Sequence, residues 1–320
     1  MSIISTLSTA LKSGFLGIDT QSANIAKVTP HELMRPEGMR HYLMALPSQN
    51  VTEKRPLVVI LHGGGASAKQ VLGMAFPPSP LSVWLEIAER EHLVVVAPEG
   101  CKKGWNDSFA DVANKPQTDD TGFIEAIIDH AIANHDVDTA RVFVIGVSKG
   151  GTMAYRLAIE IAPKLAGFAA VLATMPVKSV CPAPSMPISA LIIASTKDPF
   201  IPFNGGKFFY TPLLSPMMSA QDTVAVWRNS AGLADTSIVS QIAHSNRHNP
   251  TSATRYVWGT DPQKIQVSFV KVDRAGHTEP SQLKRYPWLL TRLIGAQNAD
   301  IEIAEEAWAF FRDKRAGLPT

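Results

Sequence analysis

The residues Gly146-Val147-Ser148-Lys149-Gly150 form a G-x-S-x-G pentapeptide. It lies between a β-branched run at 141–145 and a helical stretch that begins near Thr152. A serine on a tight strand-to-helix turn adopts strained backbone angles, and flanking glycines remove the Cβ atoms that would collide with the adjoining strand and helix. The turn lifts the hydroxyl above the sheet's C-terminal edge, and the first amides of the helix face a developing oxyanion. In isolation the pentapeptide is as easily an ordinary turn; with strand and helix on either side, Ser148 is the candidate nucleophile.

His62-Gly63-Gly64-Gly65 follows another buried run, 57–61, where this architecture places its second oxyanion donor. Gly64 is the expected donor, Gly65 the next choice, and the amide of Lys149 the partner from the serine turn. The same glycines, continued by Ala66-Ser67-Ala68, also fit G-x-G-x-x-[GA], with Glu86 or Glu89 near the offset of a ribose-binding acid. A dinucleotide-binding oxidoreductase is therefore the competing reading, although it gives the turn at Ser148 no role. A hydrolase-like binding protein without turnover is the other.

A serine nucleophile needs a base and an orienting acid, which in this order of motifs come later in the chain. Three histidines follow Ser148. His244 and His248 fall in a polar, turn-rich stretch with no preceding strand, and Pro250 with Asn246 and Asn249 argues against a helical zinc pair. His277 follows an apolar run at 265–272 through Asp273-Arg274-Ala275-Gly276, so it occupies a loop at a strand's C-terminal end, where open sheets gather catalytic groups. Asp198 ends the run 188–194 in the same way and is the expected acid. Asp222 lies in an apparent helix, Asp235 and Asp261 in loops without a buried strand before them, and Asp273 is cramped against His277. Trp105 and Phe200 are candidate pocket walls for an apolar acyl or phenolic group, with core packing the plain alternative.

The elements that must position these residues are strands alternating with helices. Near-continuous apolar runs at 57–61, 93–97, 141–145, 168–172, 188–194 and 265–272 suit a parallel sheet covered on both faces. Between them, Ile124, Ile127, Ile128, Ala131 and Ile132 mark one face of a helix, and further helices are expected near 81–91, 152–161, 288–294 and 301–312. The pattern implies right-handed βαβ units in a single open sheet. Residues 1–37 show no sustained period and contain Pro30 and Pro36, so they are expected to be an extension before one catalytic domain at 38–320.

Of the 320 residues, 45% are hydrophobic and 18% charged, which argues against disorder or a coiled coil. The net charge of +2 with no like-charge block makes nucleic acid an unexpected partner. No apolar run reaches the roughly 18 to 20 residues of a membrane span. The start has no positive region before an apolar core, so no signal peptide is expected and the cytoplasm is favoured, with a secreted mature form the alternative. Cys101 and Cys181 allow one disulfide or two thiols and exclude a cysteine-built metal site. The apolar 213–218 stretch is either packing or a patch for a polymer surface, and nothing in the sequence fixes an oligomeric state.

Taken with Arg40-His41-Tyr42-Leu43, Gly104-Trp105-Asn106-Asp107, Asp119-Asp120-Thr121-Gly122-Phe123, Val137-Asp138-Thr139-Ala140-Arg141-Val142, Asp198-Pro199-Phe200-Ile201-Pro202-Phe203 and Gly276-His277-Thr278, the chain resembles the polyhydroxybutyrate depolymerase and feruloyl esterase group of α/β-hydrolases over most of 38–313. The resemblance implies an α/β-hydrolase fold without a large lid domain. It also implies hydrolysis of a neutral carboxylic ester, short-chain, polyhydroxyalkanoate-type or feruloyl, by Ser148, His277 and Asp198, with no cofactor and no metal. Three departures bear on substrate: Ala194-Ser195-Thr196 stands where relatives often have His-Gly, Glu279 where they often have Trp, and Lys149 where a small residue is usual.

Overall fold

The computed structural model describes residues 25–110, 116–207, 216–244 and 248–317. Within them one ten-stranded sheet runs in the order β1-β2-β4-β3-β5-β6-β7-β10-β9-β8. Its strands are β1 Lys27–Arg35, β2 Gly38–Leu46, β3 Arg55–Leu61, β4 Val94–Pro98, β5 Val137–Val147, β6 Gly167–Val171, β7 Ser189–Ser195, β8 Ile238–Gln241, β9 Ser252–Trp258 and β10 Val267–Asp273. The six central strands, from β4 to β10, pair in parallel, and antiparallel strands extend both edges.

Because successive strand residues point to opposite faces, the apolar runs divide into two cores. Leu57, Val59, Leu61, Val142 and Val144 face one side, where they meet α3 Asp120–Asn134, α4 Lys149–Glu160 and α5 Ala220–Ser230; α1, Ala68–Val71, and α2, Trp84–Arg90, lie on the other. There Val58, Ile60, Phe143 and Ile145 meet α2 and the helix Ile303–Phe311, which follows α6, Trp288–Ile294, and is α7. The stripe expected on α3 is buried as Ile124, Ile127, Ile128 and Ala131. This is the mostly parallel α/β sheet with helices on both faces that the sequence predicts.

The expected boundary after residue 37 falls inside the β1–β2 hairpin, so Lys27–Arg35 is part of the sheet and not of a separate extension. As an edge strand β1 buries none of its residues fully, which leaves it without an apolar period. The same holds for β8, whose four residues are all exposed. That strand precedes His244, contrary to expectation, and β9 precedes Asp261. Of the two cysteines, both are free thiols. No described helix is long and apolar enough to cross a membrane. Residues 213–215 of the supposed polymer patch lie outside the described residues, and Met217 is buried in packing with Phe109 and Ile201.

Candidate active site

Ser148, Asp198 and His277 follow β5, β7 and β10, so all three stand at the carboxyl edge of neighbouring or near-neighbouring parallel strands. Ser148 has φ 53° and ψ −117°, the strained turn expected of it. The glycines around it answer to close contacts. A Cβ on Gly146 would overlap the carbonyl of Gly150, and one on Gly150 would overlap the carbonyl of Leu61 on β3. The turn is thereby pressed against two strands, and the Ser148 amide donates to the Val171 carbonyl at 2.8 Å.

The acid and the histidine meet. The Asp198 carboxylate is almost wholly buried, and its Oδ1 accepts the amides of Phe200 at 2.8 Å and Ile201 at 2.9 Å. Its Oδ2 accepts the His277 Nδ1 proton at 2.6 Å, the assignment a carboxylate acceptor requires. The His277 loop is clamped at its back, where Gly276 and Gly295 approach too closely for any Cβ and the His277 amide donates to the Ile294 carbonyl at 2.7 Å. Asp273, the rival acid, is engaged by Lys271 at 3.0 Å. His244 is held by Asp300 at 2.9 Å, and no metal-binding cluster occurs among the described residues.

Ser148 and His277 line one cavity of about 340 Å³ together with Gly63, Gly64 and Gly65. Val71, Pro77, Leu290 and Ile294 supply its apolar wall and Ser79, Glu279 and Tyr286 its polar one. The Gly65 amide donates to the Lys103 carbonyl at 2.8 Å and is spent. Gly64 has its Cα against the Lys149 stem, which a Cβ would meet at 3.2 Å, so the two expected oxyanion donors are neighbours. As the first residue of α4, Lys149 has an amide with no partner inside the helix.

Two expected pocket walls are not among the residues lining this cavity. Trp105 is fully buried; its indole donates to the His62 carbonyl at 2.8 Å and its ring lies 4.8 Å from the His62 imidazole. Phe200 sets its ring edge-on to His277 at 5.1 Å and is absent from the cavity lining. Each packs on a histidine, Trp105 on His62 and Phe200 on His277. Both were chosen as aromatic residues close in sequence to site motifs, and such proximity does not report which way a side chain faces.

His62 itself fixes the glycine turn. Its Nδ1 donates to the Gly63 carbonyl at 2.8 Å and its Nε2 accepts the Gly100 amide at 2.9 Å, so the ring is neutral with both nitrogens assigned. Burial lowers its pKa from 6.5, opposed by the Gly63 hydrogen bond and the charges of Glu99 and Asp120. Below about pH 6.5 the unfolded chain therefore takes up a proton that folded His62 resists, and stability falls on acidification. Urea unfolding of the wild type and His62→Gln at about pH 7.5 and 5.5 checks this. The stability gap between them should shrink at the lower pH, and a constant gap refutes the assignment.

The dinucleotide reading loses its supports. The helix after the glycines, α1, has four residues; of the two supposed ribose acids, Glu89 accepts both the amide and the hydroxyl of Ser48, and Glu86 has the Lys284 ammonium at 3.9 Å.

Residues 48–244 match the Phospholipase/Carboxylesterase family, more than half of the chain. The chain belongs to the phospholipase/carboxylesterase family. This carboxylesterase-family chain is a carboxylic ester hydrolase of α/β-hydrolase fold, and the match contains Ser148 and Asp198 but ends before His277. It is 28% identical over 306 residues, 92% of this chain and 86% of the relative, to NocK of Nocardia uniformis subsp. tsuyamanensis, which carries an esterase name. It is 29% identical over 171 residues, 52% of this chain and 58% of the relative, to a feruloyl esterase C of Aspergillus terreus (strain NIH 2624 / FGSC A1156). The solved acetyl xylan esterase of Aspergillus awamori shares the fold at TM-score 0.52 and 13% identity, over 82% of this chain and 98% of that one.

Ser79, Tyr286, Leu290 and Ile294 had escaped sequence reasoning. Ser79 precedes a short 3-10 turn, Pro80–Val83, and the others sit on or before α6, none near a recognisable motif.

Proposed function

We propose that the enzyme hydrolyses a neutral carboxylic ester through an acyl-enzyme on Ser148. Ser148 attacks the ester carbonyl and His277 accepts its proton. Asp198 holds the imidazole with its proton on Nδ1, and the amides of Gly64 and Lys149 stabilise the tetrahedral oxyanion. His277 then protonates the leaving alcohol, and water, activated by the same base, releases the acid. The observation that carries this reading is the 2.6 Å bond between Asp198 and His277, in a loop that lines the same cavity as the strained Ser148.

The apolar wall of Val71, Pro77, Leu290 and Ile294 supports an uncharged ester. Short-chain acyl, polyhydroxyalkanoate-type and feruloyl esters all meet that description. No cofactor or metal is needed for any step written above.

Titration with diethyl p-nitrophenyl phosphate tests the nucleophile directly. The expected result is release of one equivalent of p-nitrophenolate, with the diethylphosphoryl mass on the peptide that holds Ser148. Labelling at another residue, or none on folded protein, overturns the proposal and favours a hydrolase-like binder. A panel of p-nitrophenyl butyrate, methyl ferulate and polyhydroxybutyrate then ranks the acyl groups.

A further inference from the structure

Beside the three proposed catalytic side chains, the wall of the cavity carries one more acidic group. Glu279 is two residues past His277, is 8% exposed, and lines the cavity that holds Ser148. Its Oε1 accepts the Ser79 hydroxyl at 3.0 Å and its Oε2 accepts the Tyr286 phenol at 2.7 Å. Burial, and then the charge of Glu279, raises the pKa of Tyr286, so the phenol keeps its proton and remains a donor. Among the described ion pairs none involves Glu279.

A carboxylate oxygen has two acceptor sites, so Ser79 and Tyr286 leave one on each oxygen unused. A carboxylate buried without a cation is costly unless donors complete its shell. Of the other side chains lining this wall, Val71, Leu290 and Ile294 offer none, and the Gln70 amide donates to the Phe76 and Pro77 carbonyls. A donor arriving with the substrate would complete it. The position of Glu279 indicates which part of the substrate would bring that donor. His277 must hand its proton to the leaving oxygen, so the alcohol part of the ester lies against His277. Glu279, two residues past His277 on the same loop and in the same cavity wall, is accordingly assigned to the alcohol side.

We infer that Glu279, held between Ser79 and Tyr286, reads the leaving alcohol: it selects esters whose alcohol carries a further hydroxyl and turns away those whose alcohol carries an anionic group. This rests on the acyl-transfer reading of Ser148 and His277. A hydroxyl donating to a carboxylate makes a charge-assisted bond, stronger than one to a neutral amide oxygen. An anion brought to the same wall meets a like charge in a poorly screened place. An ordinary structural role for Glu279 would instead slow every ester alike.

Three acetates with the same acyl group and different alcohols test it: propyl acetate, 2-hydroxyethyl acetate and O-acetylglycolate, followed by pH-stat. The ratios of kcat/KM to propyl acetate are compared between wild type and Glu279→Gln, which cancels the esters' intrinsic reactivities. The 2-hydroxyethyl preference is expected to drop about tenfold in the variant, and the discrimination against O-acetylglycolate to relax about tenfold. Tyr286→Phe frees an acceptor site on Oε2 and should widen the 2-hydroxyethyl preference. If both ratios stay within about twofold in Glu279→Gln while hydrolysis still depends on Ser148, the inference fails and the esterase reading stands. Should Glu279→Gln not fold, judged by circular dichroism, Tyr286→Phe decides, and an unchanged or narrowed preference overturns the inference. Absence of any Ser148-dependent hydrolysis overturns the acyl-transfer reading, and this inference with it.

Discussion

Ser148→Ala should lower kcat on p-nitrophenyl acetate by about 10⁵-fold or more while leaving the fold and KM close to those of the wild type, as losing a covalent nucleophile does. The backbone strain at φ 53° is the same for alanine as for serine, because both carry a Cβ, so the elbow's contacts through Gly146 and Gly150 persist. The amides of Gly64 and Lys149 are untouched by the change. Residual turnover above the uncatalysed rate is therefore expected, since a water bound in the same cavity still has the oxyanion donors. Steady-state rates and the pre-steady-state burst measure it together: the burst should vanish. Retention of more than about one part in a hundred of kcat would remove Ser148 from the nucleophile's role.

Asp198→Asn should cost about 10⁴-fold in kcat with little change in stability or in the binding of substrate. The reason lies in the geometry of its three bonds. Oδ1 is fixed by two backbone amides, from Phe200 and Ile201, and an asparagine would keep its carbonyl oxygen there. Its NH₂ group would then face His277 Nδ1, now 2.6 Å from an acceptor. A donor in that place makes Nδ1 the acceptor and moves the ring proton to Nε2, where the nitrogen can no longer take the proton of Ser148. The size of the loss separates this tautomer effect from mere loosening of the loop, which Asp198→Ala would also cause. ¹⁵N shifts of the imidazole identify the tautomer in the variant, and an unchanged Nδ1–H with full activity would refute the role assigned to Asp198.

The sequence carried the candidate site where chemistry and sterics act on the same few adjacent residues. Gly146, Gly150 and Gly151 lie where a Cβ would strike backbone or the Ala173 side chain, so the elbow writes itself into local composition. The six parallel strands were equally legible, because β3, β4, β6 and β7 are buried along their whole length, and β5 and β10 over most of theirs, so that each reads as an apolar run. Legibility ends where burial is one-sided or absent. The exposed edge strands β1 and β8 have no period to find, and the hairpin therefore passed for an extension. It also ends where contacts are remote: Ser79 meets Glu279 across 200 positions, and Trp105 turns its indole toward His62 and away from the cavity. Nothing in the neighbouring residues encodes such meetings. The departure at Glu279 was visible as an unusual residue, and its meaning came only with the partners that surround it.

The two halves of the site rest on supports of different strength. Ser148, Asp198 and His277 all follow central strands of the sheet, but the backbone of His277 is also tied to the last turn of α6. That helix buries none of its seven residues, and Trp288, Leu289 and Leu293 lie open on its surface. Local opening costs least where few apolar contacts are lost, so this segment belongs to the low-stability end of the molecule. The proposed proton-transfer group thus leans in part on a separable unit: under mild denaturant the enzyme would fall silent while Ser148 and Asp198 still stood in native register, inactivation running ahead of unfolding.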